Sequence, residues 1–158
     1  MLKWIIGLVL TGALAGLIYV YVSCPCERIP GMKLSGVEHT EPVEDWTFAN
    51  SAALCQLEVS GVIPHSINLN CMSDGPNLFL SCSRCDGKYW SGIALAEPRG
   101  RIRIDDVVYP VELTRVTDDA ELNHAWAVRA RKLSNFGRGS DAPRPDHWWS
   151  FRLTPRAG

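Results

Sequence analysis

Charge of either sign is scarce in this chain. Its 158 residues include 16 Lys and Arg against 17 Asp and Glu, a formal net charge of -1. That balance lacks the basic field of a general nucleic-acid binder, so nucleic acid is not an expected partner and any phosphate must sit in a local site. Nucleotide and hydrolase signatures are missing as well: there is no P-loop, no dinucleotide glycine motif of the strand-turn-helix kind, and no recognisable Ser-His-Asp arrangement. No internal repeat breaks the chain into copies. Cys82-Ser83-Arg84-Cys85 has no second pair at metal spacing, so a zinc site would need distant ligands such as His65 or Cys71, and no metal is expected.

Long hydrophobic runs are limited to one. From Trp4 to Val22 there is no charged residue, a length that spans a bilayer as a helix and exceeds the usual apolar region of a signal peptide. Trp4, Tyr19 and Tyr21 stand where interfacial aromatics lie. Residues 1–23 therefore read as a retained single-pass anchor. The rival is a cleaved signal, including a lipoprotein signal ending at Cys24, for which Tyr21-Val22-Ser23 is a poor approach. Lys3 precedes the run while Arg28 and Lys33 follow it, a weak charge asymmetry. A short leader before an N-terminal anchor leans towards an extracytoplasmic domain.

Residues 24–44 carry Pro30, Gly31, Gly36 and Pro42 among charges and read as a stem or linker. Cys24-Pro25-Cys26 looks too tight for an easy mutual disulfide. Residues 45–158 form one domain, expected to begin near Trp46-Thr47-Phe48.

Within that domain the alternation of period 2 is the main signal. Leu54 to Val59 reads as a strand. His65 to Cys71 and Asn77 to Ser83 flank a Ser73-Asp74-Gly75-Pro76 turn and read as a hairpin. Ile67, Leu69 and Cys71 face a core, and Ser66, Asn68 and Asn70 form a polar, uncharged face suited to hydrogen-bonding a heterocycle. The second strand runs into Ser81, Ser83, Arg84 and Lys88, with Gly87 freeing the backbone, which outlines an anion site; its bland counterpart is a solvated polar loop. Tyr89 to Ala96 is helix-compatible and stopped by Pro98. Arg101 to Ile104 and Val107 to Leu113 form a second hairpin in which Pro110 points to an edge or a bulge.

Asp118-Asp119-Ala120-Glu121 is a helix start, with Leu122, Trp126, Ala130 and Leu133 on one face and Arg129, Arg131 and Lys132 at the basic end. His147 to Leu153 closes the domain as a strand. This order favours a mainly β fold, a small barrel with short helices, over a doubly wound sheet.

Gly87-Lys88-Tyr89-Trp90-Ser91-Gly92-Ile93-Ala94-Leu95-Ala96-Glu97-Pro98-Arg99, followed by Arg101 to Ile104 and Tyr109-Pro110-Val111, resembles the FMN-binding split-barrel group. That group includes pyridoxamine 5′-phosphate oxidase-like proteins and deazaflavin-dependent reductases. Arg115 to Asp118 and Phe151 to Pro155 are similar as well. The resemblance implies a split β-barrel homodimer with FMN or a deazaflavin in a groove at the subunit interface. Ser81, Ser83, Arg84 and Lys88 would meet the cofactor phosphate, and the strand carrying His65 and Asn68 would lie along the ring system.

Trp90 would be either a core residue or a flavin neighbour. The implied chemistry is hydride transfer to or from a small-molecule substrate. Some barrels of this kind handle haem, which makes His65 an alternative iron ligand. A non-catalytic binding domain at the membrane is the other function class. Cys82, Cys85 and the neutral run from His65 to Asn70 depart from the oxidase pattern.

Overall fold

The computed structural model describes residues 2–26, 28–139 and 141–156; Glu27, read above as part of the stem, lies outside them, as do Met1, Ser140, Ala157 and Gly158. Helix α1 (Leu2–Ser23) is apolar on all sides after Lys3 apart from Thr11 and Ser23, and buries none of its side chains. Its 22 residues rise about 33 Å, enough to cross the hydrocarbon of a bilayer.

Strands β2 (Cys55–Ser60), β3 (Pro64–Ser73), β4 (Leu78–Cys82), β5 (Arg99–Ile104), β6 (Val107–Val116) and β7 (Trp149–Pro155) follow, with α2 (Tyr89–Ala96) between β4 and β5 and α3 (Asp119–Asn135) between β6 and β7. Each strand pairs antiparallel with its neighbour in the order β6-β5-β2-β3-β4-β7, and β7 pairs again with β6, closing a six-stranded barrel. Closure leaves no long free edge, which is how a small all-β domain avoids edge-to-edge association.

Alternation explains both sides of the wall. Leu57, Val59, Leu78, Leu80, Ile102, Val111, Leu113, Phe151 and Leu153 fill the interior with Trp46 and Trp90. The intervening Met72, Phe79 and Val116 point outward and are covered by Leu122, Ala125 and Val128 of α3 and by Trp148. Strand β4 is consequently buried along its whole length and carries no polar face.

Pro110 is not at an outer edge. It sits inside β6 where one flank changes partner: a short β1 (Val37–Glu38) runs parallel to Val107 and Val108, and β7 takes over from Val111. The missing amide falls in the gap between those two pairings.

Residues 24–26 and 28–39 lie along the barrel. Gly31 exchanges backbone hydrogen bonds with Ser66, the Leu34 amide donates to Glu58 Oε2 at 2.6 Å, and β1 joins β6. A Cβ on Gly31 would fall 1.7 Å from the Cys24 carbonyl oxygen, so only glycine permits this approach. Ser66 is thereby fully buried and does not share the polar open face expected of it. The Cys24-Pro25-Cys26 expectation is corrected: those cysteines are bridged, their Cα atoms 4.6 Å apart, inside the span a disulfide accepts. Cys55 and Cys71 form a second bridge joining β2 to β3.

Lys132 is a further correction. It does not sit in a solvated basic end but is buried at 2% exposure, its ammonium donating to the carbonyls of Ala49 and Cys71.

Candidate functional site

The barrel is split at β3. This strand pairs with β2 from Pro64 to Leu69 and with β4 only from Asn70 to Ser73. Between the Gly31–Ser66 bridge and the Asn70–Ser81 pair its edge looks towards the start of α2 instead of a neighbouring strand. Two adjoining cavities open there. One, of 430 Å³, is walled by Arg28, Ile29, His65, Ile67, Asn68, Lys88, Tyr89 and Trp90. The other, of 280 Å³, is walled by Asn70, Ser81, Cys82, Ser83, Trp126 and Arg129. Asn68, Leu69 and Lys88 line both, so they form one cleft of the size that takes a cofactor.

The cleft gathers six of the seven site residues expected from sequence: His65, Asn68, Lys88 and Trp90 in the larger part, Ser81 and Ser83 in the smaller, with Lys88 at the junction. Arg84 lines neither part. It is exposed on the turn, and its contribution is the backbone amide, which donates to the Cys82 sulfur. Trp90 answers to both descriptions offered for it, packing on Phe151 with ring centroids 5.5 Å apart while closing one wall of the cleft.

Three functional groups were not anticipated as site residues. Arg129 lies over the Trp126 ring, 4.7 Å from its centroid, and burial lowers its pKa. The pair is spaced i, i+3 on α3, so a shared helix face was readable, but nothing in the sequence said that this face borders β3. Trp126 stands edge-on to Trp148 at 5.2 Å, which leaves it as a half-buried wall of the smaller cavity.

The third is Cys82. Its thiol is brought down to about 6, first by the hydrogen bond from Cys85 and then by the Arg84 amide and the Lys88 ammonium, against burial that pushes it up. Cys85 is correspondingly driven up, because it donates its proton to Cys82 and is itself buried. Lys88 thus acts on the Cys82 sulfur and lines the open cleft at the same time.

At the other end, burial lowers the His65 pKa and favours the neutral imidazole, whose ring meets Tyr89 edge-on at 5.1 Å. Near Lys88, the Asn70 Oδ1 is buried without a hydrogen-bond partner among the described residues. An acceptor left open in a walled cleft fits a ligand that brings a donor. Lys88 and Arg129 supply positive charge in and beside the smaller part, and aromatic, amide and aliphatic side chains with Arg28 line the larger part. That donor set fits a planar heterocycle carrying a phosphate. Among the described residues, no cluster of three or more His, Cys, Asp or Glu could hold a metal ion.

No protein-family model and no curated protein matches this sequence. Solved structures do match the fold. One from Listeria innocua, named for pyridoxamine 5′-phosphate oxidase, is 12% identical with a TM-score of 0.53, covering 69% of this chain and 88% of that one. An FAD-binding protein from Mesorhizobium loti is 14% identical with a TM-score of 0.50, over 69% and 85%. A structure from Bacteroides thetaiotaomicron, named for 5-nitroimidazole antibiotic resistance, is 9% identical with a TM-score of 0.54, over 85% and 92%. At such identities the likeness is one of fold, and the fold is the split β-barrel.

Proposed function

We propose that this chain is a membrane-anchored split-barrel flavoprotein, an oxidoreductase that binds FMN in the β3 cleft and acts on a small substrate. The observation that carries the reading is the polarity of the cleft. Lys88 at the junction and Arg129 in the smaller part gather positive charge beside Ser81 and Ser83, while the larger part is lined mainly by the uncharged His65, Asn68, Tyr89 and Trp90, with Arg28 as its one further cation. The shared fold with an FAD-binding protein supports a flavin over other phosphorylated heterocycles.

When bound, the flavin would supply hydride chemistry that no side chain here can supply. The chain's own contribution is placement. Lys88 and Arg129 balance the phosphate, and the hydroxyls of Ser81 and Ser83 donate to it. Asn68 and Asn70 offer amide groups to the polar ring edge, Trp90 and Tyr89 exclude water, and His65 stays neutral, available as a proton acceptor.

Helix α1 as a retained anchor, an extracytoplasmic domain and a homodimer whose second copy closes the cleft belong to this proposal. Holding the domain at a bilayer would concentrate it near lipid-soluble substrates. The test is titration of the detergent-solubilised full chain with FMN, followed by flavin fluorescence. Binding should weaken at least about tenfold in Lys88→Glu, the scale of one lost charge-assisted contact plus a repulsion. Unchanged affinity in that variant, absence of FMN binding, or a Soret band from haem bound in preference to FMN would overturn the reading.

A further inference from the structure

Four of the six cysteines are closed into bridges, and the remaining two, Cys82 and Cys85, are reduced and face each other across a turn. Ser83 and Arg84 form that turn, and a four-residue turn keeps its end Cα atoms within about 7 Å, near the span a disulfide bridges. The two thiols already share a hydrogen bond, Cys85 donating to Cys82. Cys82 forms part of the cleft wall, whereas Cys85 is fully buried behind it. Cys85 is held in place: its carbonyl accepts from the Lys88 amide and from Ser91 Oγ, which tie it to the start of α2.

We propose that Cys82 and Cys85 are a thiol–disulfide exchange centre at the floor of the cleft, acting on small disulfides that carry carboxylate groups. The access difference fixes the order of attack. Cys82 is the entering nucleophile because it alone borders the cavity, and Cys85 resolves. The anionic preference follows from Lys88 and Arg129 on the same wall.

In the exchange, the Cys82 thiolate attacks one sulfur of the substrate disulfide. That S–S bond breaks, a mixed disulfide forms at Cys82, and the first thiolate leaves. The departing thiolate takes the Cys85 proton, the Cys85 sulfur attacks Cys82 Sγ, and the second substrate thiolate is released. The net change is two electrons: the Cys82–Cys85 dithiol becomes a disulfide and the substrate disulfide becomes two thiols.

The charges around the pair agree with these roles. Lys88 and the Arg84 amide favour the Cys82 thiolate, while the Lys88 and Arg115 charges oppose the rise of Cys85 without cancelling it. With the Cys82 thiol at about 6, its thiolate fraction at pH 7 is about thirtyfold that of an ordinary cysteine. A less basic sulfur is also a weaker nucleophile and gives back about tenfold of that. The pH midpoint, not the absolute rate, is therefore the diagnostic. The centre stands on the cleft alone and does not rest on the flavin reading.

The full chain in detergent, free of added flavin, is incubated with glutathione disulfide as probe, quenched in acid and mapped by peptide mass. The wild type should form a Cys82–Cys85 disulfide and release two equivalents of reduced glutathione. Cys85→Ser should accumulate glutathione on Cys82, and Cys82→Ser should react more slowly at Cys85, by about threefold from the lost thiolate and further because Cys85 is buried behind the cavity wall. Alkylation of Cys82 in the wild type should follow a midpoint near pH 6. The proposal is overturned if no Cys82–Cys85 disulfide forms in the folded wild type, if glutathione is captured first by Cys85, or if Cys82 alkylates with an ordinary thiol midpoint.

Discussion

Lys132 gives the chain a pH-dependent stability that can be isolated by one substitution. Its Nζ donates to Cys71 O at 2.6 Å and Ala49 O at 3.1 Å and lies 3.4 Å from Cys71 Sγ, within the Cys55–Cys71 bridge. Burial, with the Arg138 charge in support, lowers its pKa from 10.5 to about 8. The folded state therefore disfavours the cation, and between these two values the unfolded chain binds more protons than the folded one. Stability must rise with pH across that window: the penalty is complete below pH 8 and gone above 10.5.

At 1.36 kcal/mol per pH unit the difference over this window is on the order of 1–3 kcal/mol. Lys132→Met keeps the aliphatic stem and removes the titration. Unfolding of both proteins by urea in detergent, read by tryptophan fluorescence from pH 7 to 10.5, cancels the contributions of other titrating groups in the difference. The wild type should gain about 1–3 kcal/mol relative to the variant over that range. Stability curves that stay parallel throughout would refute the assignment of a destabilised buried cation.

The strap formed by residues 28–39 should loosen when Glu58 is removed. Its carboxylate, 6% exposed, holds Arg101 Nη1 at 3.0 Å and the Leu34 amide, so Glu58→Ala should cost about 2–4 kcal/mol and open residues 31–38 to proteolysis. An unchanged digestion pattern would show that the strap is held by something else. Asp118→Ala removes the acceptor of the Glu121 amide at 2.8 Å and should lower stability by about 1 kcal/mol, seen as a lower thermal midpoint.

Much of the barrel was written in local pattern. The alternation at Arg101 to Ile104 and Val107 to Leu113 became β5 and β6, and Tyr89 to Ala96 became α2 with those same ends. Asp118 caps α3 as its spacing to Glu121 required. What failed were statements about neighbours. Periodicity along α3 favoured Leu122, Trp126, Ala130 and Leu133 for the core; Leu122 and Leu133 are buried, but Ala125, Val128 and Lys132 are buried with them while Trp126 and Ala130 are only half-buried. The backbone carbonyls of Ala49 and Cys71 make a lysine admissible there, and no window of sequence contains that information.

The site was legible to the same degree and for the same reason. His65, Asn68, Ser81, Ser83 and Lys88 could be nominated because they lie on one hairpin and the turn that leaves it, so local geometry brings them together. Arg129 comes from a helix forty residues later, and only barrel closure through β7 sets α3 against β3 and β4. Closure also decides the roles within the turn. It turns the Arg84 side chain to solvent, makes Cys82 part of the wall and buries Cys85. A segment that by itself offers four polar groups of equal standing is thereby sorted into one cation, one thiolate and one resolving thiol. Under the two proposals above, an anion reaching Lys88 shares it with Cys82, so oxidation of the cysteine pair would strengthen the positive charge of the cleft and its reduction would weaken it.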